Sequence, residues 1–324
     1  NLVEFVKVGD FPKFSNSVNV YPVKEKIVSL SSQEKASQAA LRLKLETNYI
    51  TKPNGIYIWE SKDKAASLEY SQKEQSIDYK NATARTGDSK LNKKLTEQEF
   101  INRARNLFAI LQVDTYAGAV SGRVDYVNLD ANGNPSSVKT IAEANFVRIS
   151  LFKNLEIATI KKEYENQSQT NPKIPASIVG EIRRPIVTDG YMTIIVKGEV
   201  NKIDDIVELE FTPNTYEVKP DVYKAELIGN AFENLKNGVP GSSLVYLVKK
   251  ETNVFVPYTK LTVRQFTINA DKTKLVYVEP PNWSHIDPTK WNGVLYPFYW
   301  FEGVAQLDNN DQADFVFLVD AVAK

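Results

Sequence analysis

Three stretches of this chain repeat their apolar residues with helical spacing. The first is predicted over about Ser31 to Leu45, with Ala36, Ala39, Ala40 and Leu43 on one face. Ser31 and Glu34 have the spacing of a capping box, in which hydroxyl and carboxylate satisfy orphan N–H groups reciprocally. The second runs from about Thr96 to Leu111, with Thr96 and Glu99 as a further box and the stripe Phe100, Ala104, Leu107, Phe108, Leu111. The third opens after Pro220-Asp221, carries Ala225, Ile228, Ala231, Phe232 and Leu235, and closes on Lys236-Asn237-Gly238. A basic last turn followed by glycine is a C-terminal stop signal.

Most of the remainder alternates or forms short apolar runs, the pattern of strands. Strands are expected at Gly55 to Glu60, Ala66 to Tyr70, Ser76 to Tyr79, Ala119 to Leu129 and Ala144 to Phe152. Others follow at Ile178 to Arg184, Tyr191 to Val200, Ile203 to Thr212 and Ser243 to Lys249. The last are Lys260 to Ile268, Thr273 to Val278, Leu295 to Gln306 and Ala313 to Ala321. Helices this sparse cannot supply βαβ crossovers, so the expected class is α+β with antiparallel sheets. The expected architecture is two or three modules, each an amphipathic helix packed on a curved antiparallel β-sheet. Residues 1–92, 93–215 and 216–324 would be the N-terminal, middle and C-terminal modules, the last two able to form one unit. Ala84 to Lys94 and Asn214 to Pro220 read as linkers.

Length fits this division, since 324 residues at about 150 per domain make two or three domains. An apolar share of 42% with 25% charged residues is ordinary for a folded chain. Forty basic residues balance forty acidic ones, which argues against a nucleic-acid partner. With no Cys and one His, thiol chemistry, Cys-ligated zinc and His-pair metal sites are excluded. The chain begins with Asn and its one Met is Met192, so a removed signal or N-terminal anchor is expected, and with it an extracytoplasmic location, the competing reading being a stretch of a cytosolic protein.

Candidate chemistry is sparse. His285 lies in the aromatic, proline-bounded segment Pro280 to Pro288, where proline limits the entropy of ordering and could hold Trp283 and Trp291 rigidly. His285 reads as a general base or as part of a contact surface, against a solvated loop as the competing reading, and Ser284 does not pair with its neighbour His285. Asp130, Asn132 and Asn134 place oxygen side chains at alternating positions, as calcium loops do. They lack the spacing and the bidentate Glu of such a loop, so a hairpin turn is the competing reading. Asp204-Asp205 and Asp308 to Asp311 sit at strand junctions and read as turn formers. No glycine loop leads into a helix to cradle phosphate, and no cofactor is implied. In Leu295 to Gly303, Tyr296, Phe298 and Trp300 share one face while Leu295, Tyr299 and Phe301 share the other. Both faces are therefore apolar, either as a central strand packed under the third helix or with Tyr296 and Trp300 open to a partner.

The segments LYPFYWFEGVAQ and ADFVFLVDAVA, after the helix ending at Gly238, carry a resemblance. So do ANFVRISLFKNLEIATI, GYMTIIVKGEVNKI and NTYEVKPDVYKAE. Over roughly residues 96–324 the chain resembles bacterial membrane-anchored ectodomains of the YycH/YycI regulator type, with PepSY-like modules. The resemblance implies a single N-terminal anchor and a non-enzymatic protein that acts on another cell-envelope or membrane protein. It carries no catalytic motif and assigns no residue a role. Competing expectations are an envelope carbohydrate-binding protein or hydrolase with an Asp/Glu pair, and a surface-layer or appendage subunit.

Overall fold

A computed structural model describes residues 3–23, 30–86, 90–112, 120–155, 180–184, 190–200, 202–212, 216, 220–249, 262–279 and 293–323. In chain order the elements begin with β1 (Glu4–Val8), β2 (Ser17–Pro22), α1 (Leu30–Arg42), β3 (Tyr49–Lys52), β4 (Ile56–Glu60), β5 (Ala66–Ser71) and β6 (Ser76–Asn81). Next come α2 (Ala82–Thr86), α3 (Glu97–Leu111), β7 (Val120–Leu129), β8 (Pro135–Ser137), β9 (Phe146–Leu155), β10 (Gly180–Arg183), β11 (Met192–Val196) and β12 (Ile206–Phe211). The chain continues with β13 (Asp221–Lys224), α4 (Ile228–Lys236), β14 (Ser242–Lys249), β15 (Val263–Asn269), β16 (Lys274–Val278), β17 (Val294–Leu307) and β18 (Gln312–Asp320).

Two compact units result, each assembled from separate stretches of chain. One comprises residues 24–152 and 188–215; the other comprises 1–23, 153–187 and 216–324. In the first, β3, β4, β5 and β6 form an antiparallel meander. It continues through β6–β12, β12–β11 and β11–β9, all antiparallel, and β9 also pairs with β7. The helices α1 and α3 share one core with these strands: Ala36, Ala39 and Ala40 from α1 meet Phe100, Ala104, Leu107 and Leu111 from α3 over Trp59, Leu68, Tyr79 and Ile194. Each fully buried Leu or Phe there contributes about 1.5–3 kcal/mol. The α3 capping box forms as its sequence spacing requires, with Thr96 N donating to Glu99 Oε2 at 2.8 Å and Glu99 N to Thr96 Oγ1 at 3.3 Å.

The second unit is organised around β17. Its first half pairs with β16, its second half with β15, and its other edge with β18, which in turn pairs with β14. Two further pairs are parallel, β1 with β15 and β10 with β16. One face of this sheet buries Phe266, Tyr277, Tyr299, Phe301 and Phe315 beneath α4 residues Ala231, Phe232 and Leu235.

The expected architecture of helix-plus-antiparallel-sheet modules is overturned. Strand makes up 49% of the described residues and helix 20%; the eighteen strands form largely mixed sheet, and the four helices are short. The reason is non-local: β1 reaches β15 across more than two hundred and fifty residues, as the side-chain bond from Gln265 Nε2 to Glu4 Oε2 records. Such closure gives parallel pairs without any crossover helix, and no local pattern announces it. The third predicted helix is also shorter than its stripe suggests. Asp221–Lys224 is a strand antiparallel to β2, and the helix begins only at Ile228. No helix among the described residues is long and apolar enough to cross a membrane.

Candidate functional site

The aromatic strand β17 follows its alternation. Leu295, Tyr299 and Phe301 enter the core under α4. Phe298 and Trp300 face the other side, where they pack with Val276, Val278, Val316 and Leu318, and Tyr296 lies at the margin, partly buried. Trp300 is only 4% exposed, so its ring is enclosed and not presented as an open platform. Its indole N–H donates to Glu302 Oε2 at 2.8 Å. The Arg183 guanidinium and the Lys274 ammonium each lie 5.0 Å from the ring centroid, within cation–π range. Glu181 holds both cations, pairing with Arg183 and with Lys274 at 3.3 Å. Burial, followed by the charges of Asp320 and Tyr223, pushes the Tyr296 phenol up to about 12.

The turn between β7 and β8 contains Asp130, Asn132 and Asn134. The Asp130 carboxylate accepts 2.8 Å bonds from the backbone N–H groups of Asn132 and Asn134 and a 2.9 Å bond from the Asn134 amide. These donors, led by the Asn134 side chain, hold its pKa below the usual carboxylate value. Asn134 therefore points a nitrogen, not an oxygen, at the aspartate, which is hairpin chemistry and not a convergent cage for a cation. Among the described residues no group of three or more His, Cys, Asp or Glu is placed to hold a metal ion.

That turn forms one wall of a cavity of about 720 Å³, lined also by Arg85, Lys90, Leu91, Lys93, Phe146 and Lys197. The cations come from three stretches of chain. Arg85 stands in the last turn of α2, Lys90 and Lys93 precede α3, and Lys197 follows β11. Lys197 lies 5.5 Å from the centroid of the Phe146 ring and donates to the Arg85 carbonyl at 3.5 Å, while Lys93 donates to the carbonyl of Ala142. Gly133 has φ +92°, and a Cβ there would lie 2.7 Å from Arg85 Nη1. Glycine thus serves twice, allowing the left-handed turn and letting it sit against the guanidinium. Behind Arg85 stands Glu208 on β12, whose carboxyl is raised first by burial and lowered in part by Lys80 and Arg85.

Sequence reasoning passed over this cavity, because Ala84 to Lys94 reads as a polar linker. Its basic bias was the available signal. Leu91 in that stretch is in fact buried. Trp283, His285 and Trp291 lie outside the described residues. No protein-family model, curated protein or solved structure matches the chain.

Proposed function

We propose that this chain is the binding or regulatory ectodomain of a bacterial cell-envelope protein. It would lie outside the cytoplasm, be held by an N-terminal anchor, and act through contacts with another envelope protein without chemistry of its own. The resemblance to YycH/YycI-type regulators motivates the setting, and the outer edge of β3 carries the mechanism. β3 pairs with β4, and among the described residues no strand pairs with its other edge. Ile50 is 55% exposed, and its register partner Ile58 on the same face is only partly buried. An incoming extended segment would gain main-chain hydrogen bonds along β3, with Ile50 and Ile58 selecting its side chains. Four residues of edge support a weak, reversible contact and limit uncontrolled strand pairing.

The test is co-purification of the full-length anchored protein from its native membrane beside an Ile50→Lys variant. Recovery of the same envelope protein with the parent chain, and its loss with the variant, is the expected result. Failure to recover any reproducible partner, or equal recovery with both, would refute the reading.

A further inference from the structure

We propose that the cavity formed by Arg85, Lys90, Lys93, Lys197 and the Asp130–Asn134 turn binds a small phosphorylated molecule through its phosphate group. This goes beyond the strand-edge contact and uses none of its residues. A volume of about 720 Å³ is within the usual size of small-molecule sites.

Among the described residues four cations and one acid line the cavity, and that acid, Asp130, already accepts from the N–H groups of its own turn. Even with Glu208 behind Arg85 counted, the described lining carries more positive than negative charge, as recognition of a phosphate group requires. Arg85, Lys90 and Lys93 make no ion pair within 4.0 Å with another described residue. An ammonium has three N–H donors, so Lys93 keeps two after its bond to Ala142. Like charges gathered in one cavity repel one another, a cost that a bound anion would relieve.

The arrangement also favours phosphate over a lone carboxylate. Donors reach the cavity from three chain stretches, and a tetrahedral group presents acceptors in all those directions whereas a carboxylate presents them in one plane. Arg85, with the Gly133 backbone packed against it, offers a planar fork suited to paired phosphate oxygens. Leu91, Ala144 and Phe146 supply apolar wall for the organic part of the ligand.

Isothermal titration of the full chain with inorganic pyrophosphate tests this, with citrate as the carboxylate comparison. Saturable one-to-one binding is expected, weakened at least about tenfold by Arg85→Ala and by Lys90→Glu. Lys90 is exposed, so its variant should keep the parent melting temperature in anion-free buffer. Ile50→Lys should bind pyrophosphate as the parent does, which separates this proposal from the strand-edge one. Absence of saturable binding, unchanged affinity in both cavity variants, or citrate bound as tightly as pyrophosphate would each overturn it.

Discussion

Tyr299 on β17 donates a 2.6 Å hydrogen bond from its phenol to the carbonyl oxygen of Glu226, which leads into α4. The Glu226 side chain in turn accepts 3.0 Å bonds from the backbone N–H of Leu227 and from the Asn230 amide. One buried phenol thereby fixes the entry of the helix that covers the aromatic sheet face. Tyr299→Phe keeps the ring and removes the donor. It should cost about 1–2 kcal/mol, read as a lower denaturation midpoint with an unchanged slope. An unchanged midpoint would mean that the bond contributes nothing net.

The same phenols set an alkaline limit. Burial pushes Tyr299 and Tyr296 up to about 12, and it raises Tyr277 and Tyr21 as well. Above the ordinary tyrosine pKa of about 10 the unfolded chain releases these protons while the folded chain retains them. The stability they contribute is therefore complete below pH of about 10 and is lost as pH rises toward 12 and beyond. Thermal melts across that range should fall steeply, and tyrosinate absorbance should grow in step with unfolding. Tyrosinate that appears in full while the protein stays folded would contradict this sign.

Two glycines should respond oppositely to alanine. At Gly303, where β17 pairs antiparallel with β15, an added Cβ would lie 1.9 Å from the carbonyl oxygen of Thr267, and backbone cannot rotate away. Gly303→Ala should cost about 3 kcal/mol or more. At Gly229, in the first turn of α4, a Cβ meets nothing within 4 Å. Gly229→Ala should therefore gain about 0.5 kcal/mol through lower entropy in the unfolded chain. Melting temperatures of the two variants decide the matter, and loss of the same sign in both would refute it.

Local chemistry was the legible part of this fold. The Thr96–Glu99 box and the Phe100 to Leu111 stripe predict α3 to within a residue, because capping and amphipathicity act within a few turns. The alternation of β17 was legible for the same reason. It could not tell whether the Trp300 face is open, since its cover includes Val316 and Leu318 of β18 and the cations Arg183 and Lys274. Strand β13 was missed because Val222 and Tyr223 are largely exposed and bury no face that a pattern could report. The basic cavity escaped because its lysines and arginine converge from stretches as far apart as Arg85 and Lys197, 112 residues away. Pairing of distant strand edges and convergence of distant charges arise only in the folded chain and have no local signature.

The proposed recognition of an envelope partner along β3 can be read by photo-crosslinking in the native membrane. A photoreactive residue would replace Ile50 in the full-length protein, and Lys73, in the turn between β5 and β6, would carry the same probe as a control. A discrete adduct to one envelope protein is expected from position 50, absent from position 73 and abolished by Ile58→Glu. No adduct at position 50, or the same adducts from both positions, would contradict it.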